Sequence, residues 1–477
     1  MISIALCVAS FALCYQAAKR ALIAGLCAVL GVGYTYGIVR ANLPDGFSHL
    51  FFDAAVLGLY AAQLWRPQPA WQGHRSQDLR NWIFILMTWP VLLFFSMQQD
   101  PLIQIVGLRG NIFLIPFILF GARLTGDDIY KLALWLSLCN LAAGVIAMVQ
   151  FAVGVEPFFP RNAVTDIIYR SKDLADYTAY RIPASFSSAH AYAGTMVMTI
   201  AIIAGAWVQP HWGKWQGRLM GTALLMSMLG VFMSATRSNA LILFVLVMTT
   251  VFSGRLPGAY RFRYLIVIAA VGYVVAGEER LQRFTTLQDP EFLSERLVGS
   301  VNLTFVELAG KYPLGNGLGG GGTSVPYFLQ DRIRNVVTME NEYARILLEL
   351  GLPGLMMWAL FVGWVFTRRN IRRTDMFYFG RRLAYVACVC AFGMGLIGVG
   401  LFTSVPGTTL TFLLTGWFVV REVKAPPVFA LAGIPPAEAA LPVETEGKIE
   451  KVPDTFPRKV PGTSRAASGA GTSGEWA

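Results

Sequence analysis

Residues 219–254 read LMGTALLMSMLGVFMSATRSNALILFVLVMTTVFSG and contain a single charged residue, Arg237. The apolar runs on either side of it each have most of the length of a membrane-spanning helix, since about 20 residues cross roughly 30 Å of hydrocarbon. Between the runs stand Arg237, Ser238 and Asn239, too few residues for a solvated loop. The stretch therefore predicts a helical hairpin with Arg237 at its rim.

The rest of the chain has the same membrane character. Of its 477 residues, 55% are hydrophobic and 14% are charged, and the mean hydropathy is +0.53, which excludes a soluble globular domain. We predict an all-α fold, a polytopic transmembrane helix bundle of about 12–14 spans. The spans are predicted at residues 2–17, 21–39, 47–65, 81–97, 111–124, 130–154, 191–208, 219–236, 240–254, 265–278, 352–366, 383–402 and 408–420.

Basic residues in alternate short loops predict the orientation of the bundle. The positive-inside rule places these loops in the cytoplasm. Arg237 then faces outward, together with Arg109 and the segments 156–190 and 279–351. The net charge of +11 is mostly topological, so it favours contact with membrane lipids and predicts no nucleic-acid partner. The inward loops contain Lys19, Arg20, Arg66, Arg75, Arg80, Lys214, Arg218, Arg255, Arg261, Arg263, Arg368, Arg369, Arg372, Arg373, Arg381 and Arg382.

Arg237 has two interpretations. It is either an arginine that sets topology or snorkels to the headgroups, or one that binds an anionic group. An arginine cannot be deprotonated and requires an anion, water or a carbonyl as partner. Because Arg237 is predicted outside, where topology does not require a positive charge, its position favours function.

The two long outer segments contain further candidate residues. Segment 156–190 has basic residues among tyrosines and leads into His190. Segment 279–351 predicts an amphipathic helix near 291–310 and then a glycine-rich loop, 315–322. Gly317 to Gly322 matches GxGxxG, but no βαβ unit surrounds it, so a loop that packs closely on a helix or a substrate is favoured over a dinucleotide site.

Two domains are predicted from composition. Residues 1–424 form the polytopic membrane domain, with the large outer loop at about 279–351. Residues 425–477 are rich in Ala, Pro, Gly, Ser and charge, which predicts a disordered cytoplasmic tail. The six cysteines lie inside predicted spans, with neither disulfide nor metal spacing.

Several short motifs in residues 180–420 occur in a characteristic order. The chain has Asn341, Tyr343 and then L-x-E-x-G-x-x-G-L over residues 347–355, preceded by P-L-G-x-G-x-G over residues 313–319. A serine/arginine hairpin rim at 234–238 and Arg181 before a small-residue and phenylalanine segment complete the set. In these motifs the chain resembles the O-antigen ligase and O-antigen polymerase superfamily of bacterial inner-membrane glycosyltransferases.

This resemblance implies a fold and a reaction. The fold is similar to C-type glycosyltransferases, with short helices in the long periplasmic loop. The enzyme would transfer or polymerise glycan from a polyprenyl-diphosphate donor to a glycan or lipid-glycan acceptor, for O-antigen lipopolysaccharide or exopolysaccharide. Catalysis would take place on the periplasmic face of the inner membrane, without metal or cofactor. A polysaccharide flippase and a chain-length regulator are implied as further partners.

The resemblance also implies the site. The catalytic residues would be Glu340, Arg237 and Arg181, with the arginines stabilising the leaving diphosphate. Ligase members have a histidine where this chain has Glu340, which keeps the choice between ligase and polymerase open. The acceptor hydroxyl would be activated by Glu340 or by His190, and Glu340 is otherwise a carboxylate at a helix N-terminus. The substrate would contact Arg296, Arg345, Asn341, Tyr343, His190, Gly317 and Gly319.

Two other classes of protein compete with the enzyme. A transporter or lipid-linked glycan flippase would also be polytopic and would also require basic residues for a phosphate. Transporters usually place ionisable groups near the bilayer midplane, whereas Asp53 is the clearest carboxylate in a predicted span, and no internal repeat is visible. In a non-enzymatic polysaccharide assembly protein, the outward arginines would have no catalytic role.

Overall fold

The computed structural model describes residues 1–64, 76–96, 98–170, 172–173, 179–209, 213–252, 294, 304–322, 325–337, 341–368, 371–398 and 400–420. Its α-helices, numbered α1 to α15 in chain order, are Ile2–Arg20, Leu22–Asn42, Phe51–Leu64, Gln77–Phe94, Pro101–Ile112, Phe117–Arg123, Gly126–Val153, Asp166–Arg170, Ala189–Trp207, Lys214–Met233, Arg237–Phe252, Thr304–Lys311, Glu342–Thr367, Tyr378–Met394 and Gly407–Val419. Gly46–Leu50 and Tyr327–Arg332 are 3-10 helices. A two-residue antiparallel ladder joins β1, Lys172–Asp173, to β2, Ala179–Tyr180.

The helices confirm the predicted class, an all-helical multi-pass membrane protein. Within the described ranges, seven helical stretches are long and apolar enough to cross a membrane. They are Ile2–Arg20, Leu22–Asn42, Gly46–Leu64, Pro101–Arg123, Gly126–Val153, Ala189–Trp207 and Glu342–Thr367. Arg237–Phe252 and Gly407–Val419 are shorter apolar helices. The predicted run 265–278 and the predicted tail 425–477 lie outside the described residues.

Two predicted spans start ten residues later than the helices in the structure. The run predicted at 111–124 begins at Pro101, because the Asp100 side chain caps the helix by accepting a hydrogen bond from the Leu102 amide at 3.0 Å. Arg109 therefore lies inside a helix instead of in a loop. At the other end of the predicted outer loop, 279–351, α13 begins at Glu342 and is kinked at Gly351, where φ is +71°.

Charge inside the span at Arg109 is balanced by a carboxylate from another helix. Arg109 Nε and Nη2 donate to Asp53 Oδ2 and Oδ1 at 2.5 and 2.7 Å. The Asp53 side chain is 8% exposed, so this two-pronged pair lies mostly out of solvent. Planar guanidinium–carboxylate pairs of this geometry are among the strongest charged hydrogen bonds in proteins, which explains how α3 and α5 tolerate the two charges.

The helix α9, Ala189–Trp207, lies at the centre of the bundle, and 89% of its apolar 18-residue stretch is buried. It packs against α7, α10 and α14. Gly205 and Gly380 allow close approach, since a Cβ on Gly205 would lie 2.5 Å from Gly380 Cα. The Asn140 amide donates to Thr199 and Ser227, each at 2.8 Å, and so ties three helices together. Small residues and interhelical hydrogen bonds are the usual means of helix association in membranes.

Segments predicted to lie on the outer side meet at one end of the bundle. The Ile38 amide donates to the carbonyl of Ser185 at 3.1 Å. Asn42 donates to the Phe158 carbonyl at 3.0 Å, and Asn162 donates to the Ala41 carbonyl at 2.8 Å. Phe158, Asn162 and Ser185 therefore lie at the C-terminal end of α2.

The glycine-rich loop packs on a helix, one of the two uses that its sequence suggested. Gly319 has φ +78°, and a Cβ there would lie 2.5 Å from the Ile103 carbonyl oxygen. Gln99 donates to the Asn316 carbonyl at 2.7 Å, and the Asn316 amide donates to the Leu348 carbonyl at 2.6 Å. The loop therefore joins the start of α5 to α13, and its glycines permit this contact.

Gly319→Ala should destabilise the protein. The left-handed backbone alone costs a residue with a side chain about 1–2 kcal/mol, and the added methyl group would also press on Ile103. We expect a lower melting temperature of the detergent-solubilised protein. Gly363→Ala is the matched control, because Gly363 lies in α13 with open space around it. Equal melting temperatures for the two variants would contradict the packing described for this loop.

Candidate functional site

A cavity of about 840 Å³ opens among the segments that the sequence placed on the outer side. It is formed by the end of α2, the start of α3 with the preceding 3-10 helix, α5, the segment 162–170, the residues around Tyr327 and the loop before α15. Its lining residues are Tyr36, Arg40, His49, Leu50, Phe52, Val106, Arg109, Gly110, Leu114, Asn162, Ala163, Val164, Asp166, Ile167, Arg170, Ser187, Val325, Pro326, Tyr327, Gln330, Phe402, Thr403 and Val405.

Three guanidiniums line this cavity, and they differ in their partners. Arg170 pairs with Asp166 at 2.6 Å and is largely exposed. Arg109 is held by Asp53. Arg40 forms an ion pair with no carboxylate in the described part of the chain, and its Nε is buried without a hydrogen-bond partner. The Arg40 guanidinium lies 5.7 Å from the centre of the Tyr36 ring. Arg40 therefore gives the cavity a positive charge that the surrounding described residues do not neutralise.

His49 lines the same cavity. Its Nε2 is buried, and no described group forms a hydrogen bond with it. The imidazole lies 6.1 Å from the Tyr327 ring and 5.6 Å, edge to face, from the Phe328 ring. The Tyr36 hydroxyl donates to the His49 carbonyl at 3.3 Å, which fixes the backbone.

The 3-10 helix that contains His49 is capped by Asp45. The Asp45 carboxylate accepts from the Ser48 amide at 2.8 Å and from the Ser3 hydroxyl. The Ser3 hydrogen bond, followed by the one from Ser48, lowers the pKa of the Asp45 carboxyl, so it remains ionised near neutral pH. This cap joins α1 to the cavity wall and fixes the start of the helix that places His49.

The remaining wall of the cavity is apolar. Its apolar side chains come from five segments of the chain: Leu50, Phe52, Val106, Leu114, Ala163, Val164, Ile167, Val325, Pro326, Phe402 and Val405. Arginines bind phosphates through planar hydrogen-bond donors, whereas aliphatic and aromatic side chains pack against hydrocarbon chains. The lining therefore suits an amphiphilic anion, with a charged headgroup near Arg40 and Arg109.

A buried charged network lies behind this cavity, at the start of α13. Arg345 is 1% exposed, and its Nε and Nη1 donate to Glu342 and Glu349 at 2.7 and 2.8 Å. Asn111 also donates to Glu349 at 2.7 Å, and Glu342 accepts from the Gly400 amide at 2.7 Å. This network connects α5, α13 and the loop before α15. The Arg345 guanidinium, which the sequence predicted to bind substrate, thus forms ion pairs with two carboxylates of its own helix.

Other residues predicted from the motif make contacts within the protein. Asn341 caps α13, with its side chain accepting from the Ala344 amide at 2.5 Å. The Tyr343 hydroxyl donates to the Phe392 carbonyl at 2.9 Å. Gly319 packs on Ile103 as described above, and a Cβ on Gly317 would lie 2.8 Å from Gln98 Cβ. Glu340 and Arg296 lie outside the described residues.

Arg181 and His190 lie together at the N-terminal end of α9, and the start of α11, which contains Arg237, approaches the same helix. Arg181 is buried, and its Nη1 lies 3.4 Å from His190 Nε2. Arg237 is the first residue of α11 and follows Ala235, which has φ +49°. The Asn239 carboxamide comes within 3.7 Å of a Cβ built on Gly194, one turn beyond His190. These three predicted residues do not line the cavity, although Ser187, between Arg181 and His190, does.

Among the described residues, no three His, Cys, Asp or Glu side chains are grouped so as to hold a metal ion. No family model matches the chain, and no curated protein matches it. The fold and the site thus define a multi-pass helical membrane protein with an arginine-lined, partly apolar cavity.

The orientation of the cavity can be tested by cysteine labelling. In a variant without the native cysteines, Val336→Cys, which is 70% exposed in the native structure, should react with an impermeant maleimide on intact cells. Arg372→Cys should react only after permeabilisation, because it lies among the basic loops predicted to be cytoplasmic. The reverse labelling pattern would place the cavity on the cytoplasmic side.

Proposed function

We propose that this protein is a metal-independent membrane glycosyltransferase, of the O-antigen ligase or polymerase type, that uses a polyprenyl-diphosphate-linked glycan as donor. The observation that carries the proposal is the Arg40 guanidinium, which lies in the cavity wall without a carboxylate partner among the described residues. A protein rarely retains an uncompensated, partly buried charge without a use for it. A ligand diphosphate would compensate it.

Arg109 would act beside Arg40. Its Nε and Nη2 donate to Asp53, whereas no described group forms a hydrogen bond with Nη1. Asp53 fixes the guanidinium plane, so the third nitrogen can meet a phosphate oxygen without rearrangement. Donors that are already oriented stabilise developing charge more effectively than mobile ones, because reorganisation is not required during the reaction.

The reaction requires charge stabilisation at the leaving group. As the bond between the anomeric carbon and the diphosphate oxygen breaks, the electron pair and negative charge move onto the diphosphate. Arg40 and Arg109 would stabilise that charge, while the apolar wall contacts the first isoprene units. At about 840 Å³, the cavity falls in the usual range of ligand sites, roughly 300–1,000 Å³. It would hold the headgroup and the reacting sugar, with the rest of the lipid in the bilayer.

The proposal retains the wider setting that the sequence implied. The protein would work in the bacterial inner membrane with the cavity facing the periplasm, downstream of a flippase that delivers the lipid-linked glycan. Arg181 and Arg237 remain predicted catalytic residues, located at the adjacent end of α9. The acceptor, a growing glycan or a lipid-linked core, decides between polymerase and ligase.

A transfer assay with the purified full-length chain in lipid nanodiscs tests this function. The donor is lipid-linked oligosaccharide extracted from source cells that lack the protein, and EDTA is present throughout. We expect glycan transfer together with stoichiometric release of polyprenyl diphosphate. Donor movement across proteoliposomes without diphosphate release would favour a flippase instead. Absence of both activities would contradict the proposal.

A further inference from the structure

We infer that His49 is the general base that takes the proton from the acceptor hydroxyl during glycan transfer. This inference rests on the proposed function and adds the acceptor side of the same site. It assigns a catalytic role to a residue of the α2–α3 connection, far along the chain from the motifs of residues 180–420.

His49 is placed as a base should be. It shares the cavity wall with Arg40 and Arg109, so a single occupant of the cavity could contact both the arginines and the imidazole. The ring is held beside Tyr327 and Phe328, and its backbone is fixed by Tyr36 and by the cap at Asp45. A general base requires this fixed position, because proton transfer depends on hydrogen-bond distance to the reacting hydroxyl.

The other groups of the cavity are less suited to accept a proton. Among the lining residues that the structure describes, Asp166 is paired with Arg170. Asp53 does not line the cavity, and both of its carboxylate oxygens accept hydrogen bonds from Arg109. Tyr36 and Tyr327 are phenols, which are neutral near pH 7 and act as donors. His49 remains, with a buried Nε2 that meets no hydrogen-bond partner in the described chain.

An unpartnered, buried imidazole nitrogen is itself unusual. Buried polar atoms in proteins are nearly always hydrogen-bonded, and exceptions commonly mark catalytic or ligand-binding groups. Here the exception stands in a cavity that also contains an arginine without an acidic partner among the described residues. The same occupant would satisfy both groups if it presented an anionic phosphate to Arg40 and a hydroxyl to His49.

Transfer exchanges one bond at the anomeric carbon for another. The acceptor oxygen forms a bond with the anomeric carbon of the donor sugar, while the bond from that carbon to the diphosphate oxygen breaks. The acceptor proton passes to the imidazole nitrogen of His49, and the diphosphate leaves with the electron pair. The imidazolium then releases its proton to water, and the base is restored for the next transfer.

The test separates binding from transfer in the full-length protein. His49→Gln and His49→Ala are compared with the wild type in nanodiscs for affinity toward undecaprenyl diphosphate and for single-turnover transfer from the extracted donor. We expect affinity within about twofold of wild type and transfer slower by roughly 10²–10⁴-fold, the usual contribution of a general base. Added imidazole should restore part of the rate to His49→Ala. Phe47→Ala, on the same 3-10 helix but outside the cavity, is the matched control with expected normal transfer.

Three outcomes would overturn the inference. Transfer by His49→Gln within about threefold of wild type would remove the base from the mechanism. A parallel loss of undecaprenyl diphosphate affinity and transfer would make His49 a phosphate ligand or a structural residue. No transfer and no diphosphate release by the wild-type protein would instead refute the proposed function, and with it this step, before any variant is compared.

Discussion

Replacing Arg40 with glutamine should slow glycan transfer by roughly 100- to 1,000-fold, the usual effect of removing one fixed donor from a developing negative charge. Arg40 lines the cavity, and no carboxylate among the described residues neutralises it. The loss should appear both in the single-turnover rate and in the affinity for undecaprenyl diphosphate. Arg40→Lys should recover part of the affinity but little of the rate, because an ammonium lacks the planar donor pair of a guanidinium.

Arg40→Gln should lower transfer without lowering the thermal stability of the protein. An arginine whose Nε is buried without a partner costs free energy in the empty protein. Arg40→Gln should therefore unfold at the same temperature as wild type or at a higher one. Arg332→Gln is the matched control, since Arg332 is exposed, lies on the same predicted side and does not line the cavity. Its transfer should be normal. Equal transfer by Arg40→Gln and Arg332→Gln would refute the role of the cavity.

The helices were largely predictable because membrane burial leaves a strong local signal. The hairpin predicted from residues 219–254 is present as Lys214–Met233 and Arg237–Phe252. Apolar runs of the right length determine such helices almost without tertiary information. For the helix Pro101–Ile112, the prediction placed the start of the span at residue 111, after Arg109, because Arg109 interrupts the apolar pattern. The helix in fact begins at Pro101. The partner of Arg109, Asp53, is 56 residues away along the chain, so a local pattern could not reveal the pair.

The cavity was only partly predictable. The argument that favoured Arg237, an arginine on the outer side against the positive-inside rule, applies equally to Arg40 at the end of α2. The sequence offered no comparable sign for His49. Its neighbours Tyr327 and Phe328 are distant from it in the sequence, and a single sequence does not show that these segments are in contact.

Arg345 had a sequence signal that the motif resemblance obscured. Glu342 precedes it by three residues and Glu349 follows it by four, the two spacings that bring side chains together on a helix. Helical spacing alone therefore predicts the ion pairs that the structure contains. The resemblance instead suggested a substrate-binding arginine. These two interpretations make different predictions for a single substitution.

Arg345→Met should prevent stable folding. Removing the guanidinium leaves Glu342 and Glu349 buried and close together without a counter-charge, and breaking a buried pair in this way costs about 3–5 kcal/mol. We expect a sharply lower yield of monodisperse protein by fluorescence-detected size exclusion and a large fall in melting temperature. Adding Glu342→Gln and Glu349→Gln to the same chain should restore much of the lost yield and melting temperature, because the uncompensated charges are then absent.

The control for this prediction is an ion pair of similar length at the surface. Arg161 pairs with Glu156 at 2.6 Å, with both side chains more than half exposed. Arg161→Met should leave the melting temperature unchanged, since solvent screens such pairs and replaces the lost contact. A normally folded Arg345→Met protein with undiminished stability and lost transfer would contradict the structural role. That result would instead return Arg345 to the substrate-binding role that the sequence motif implied.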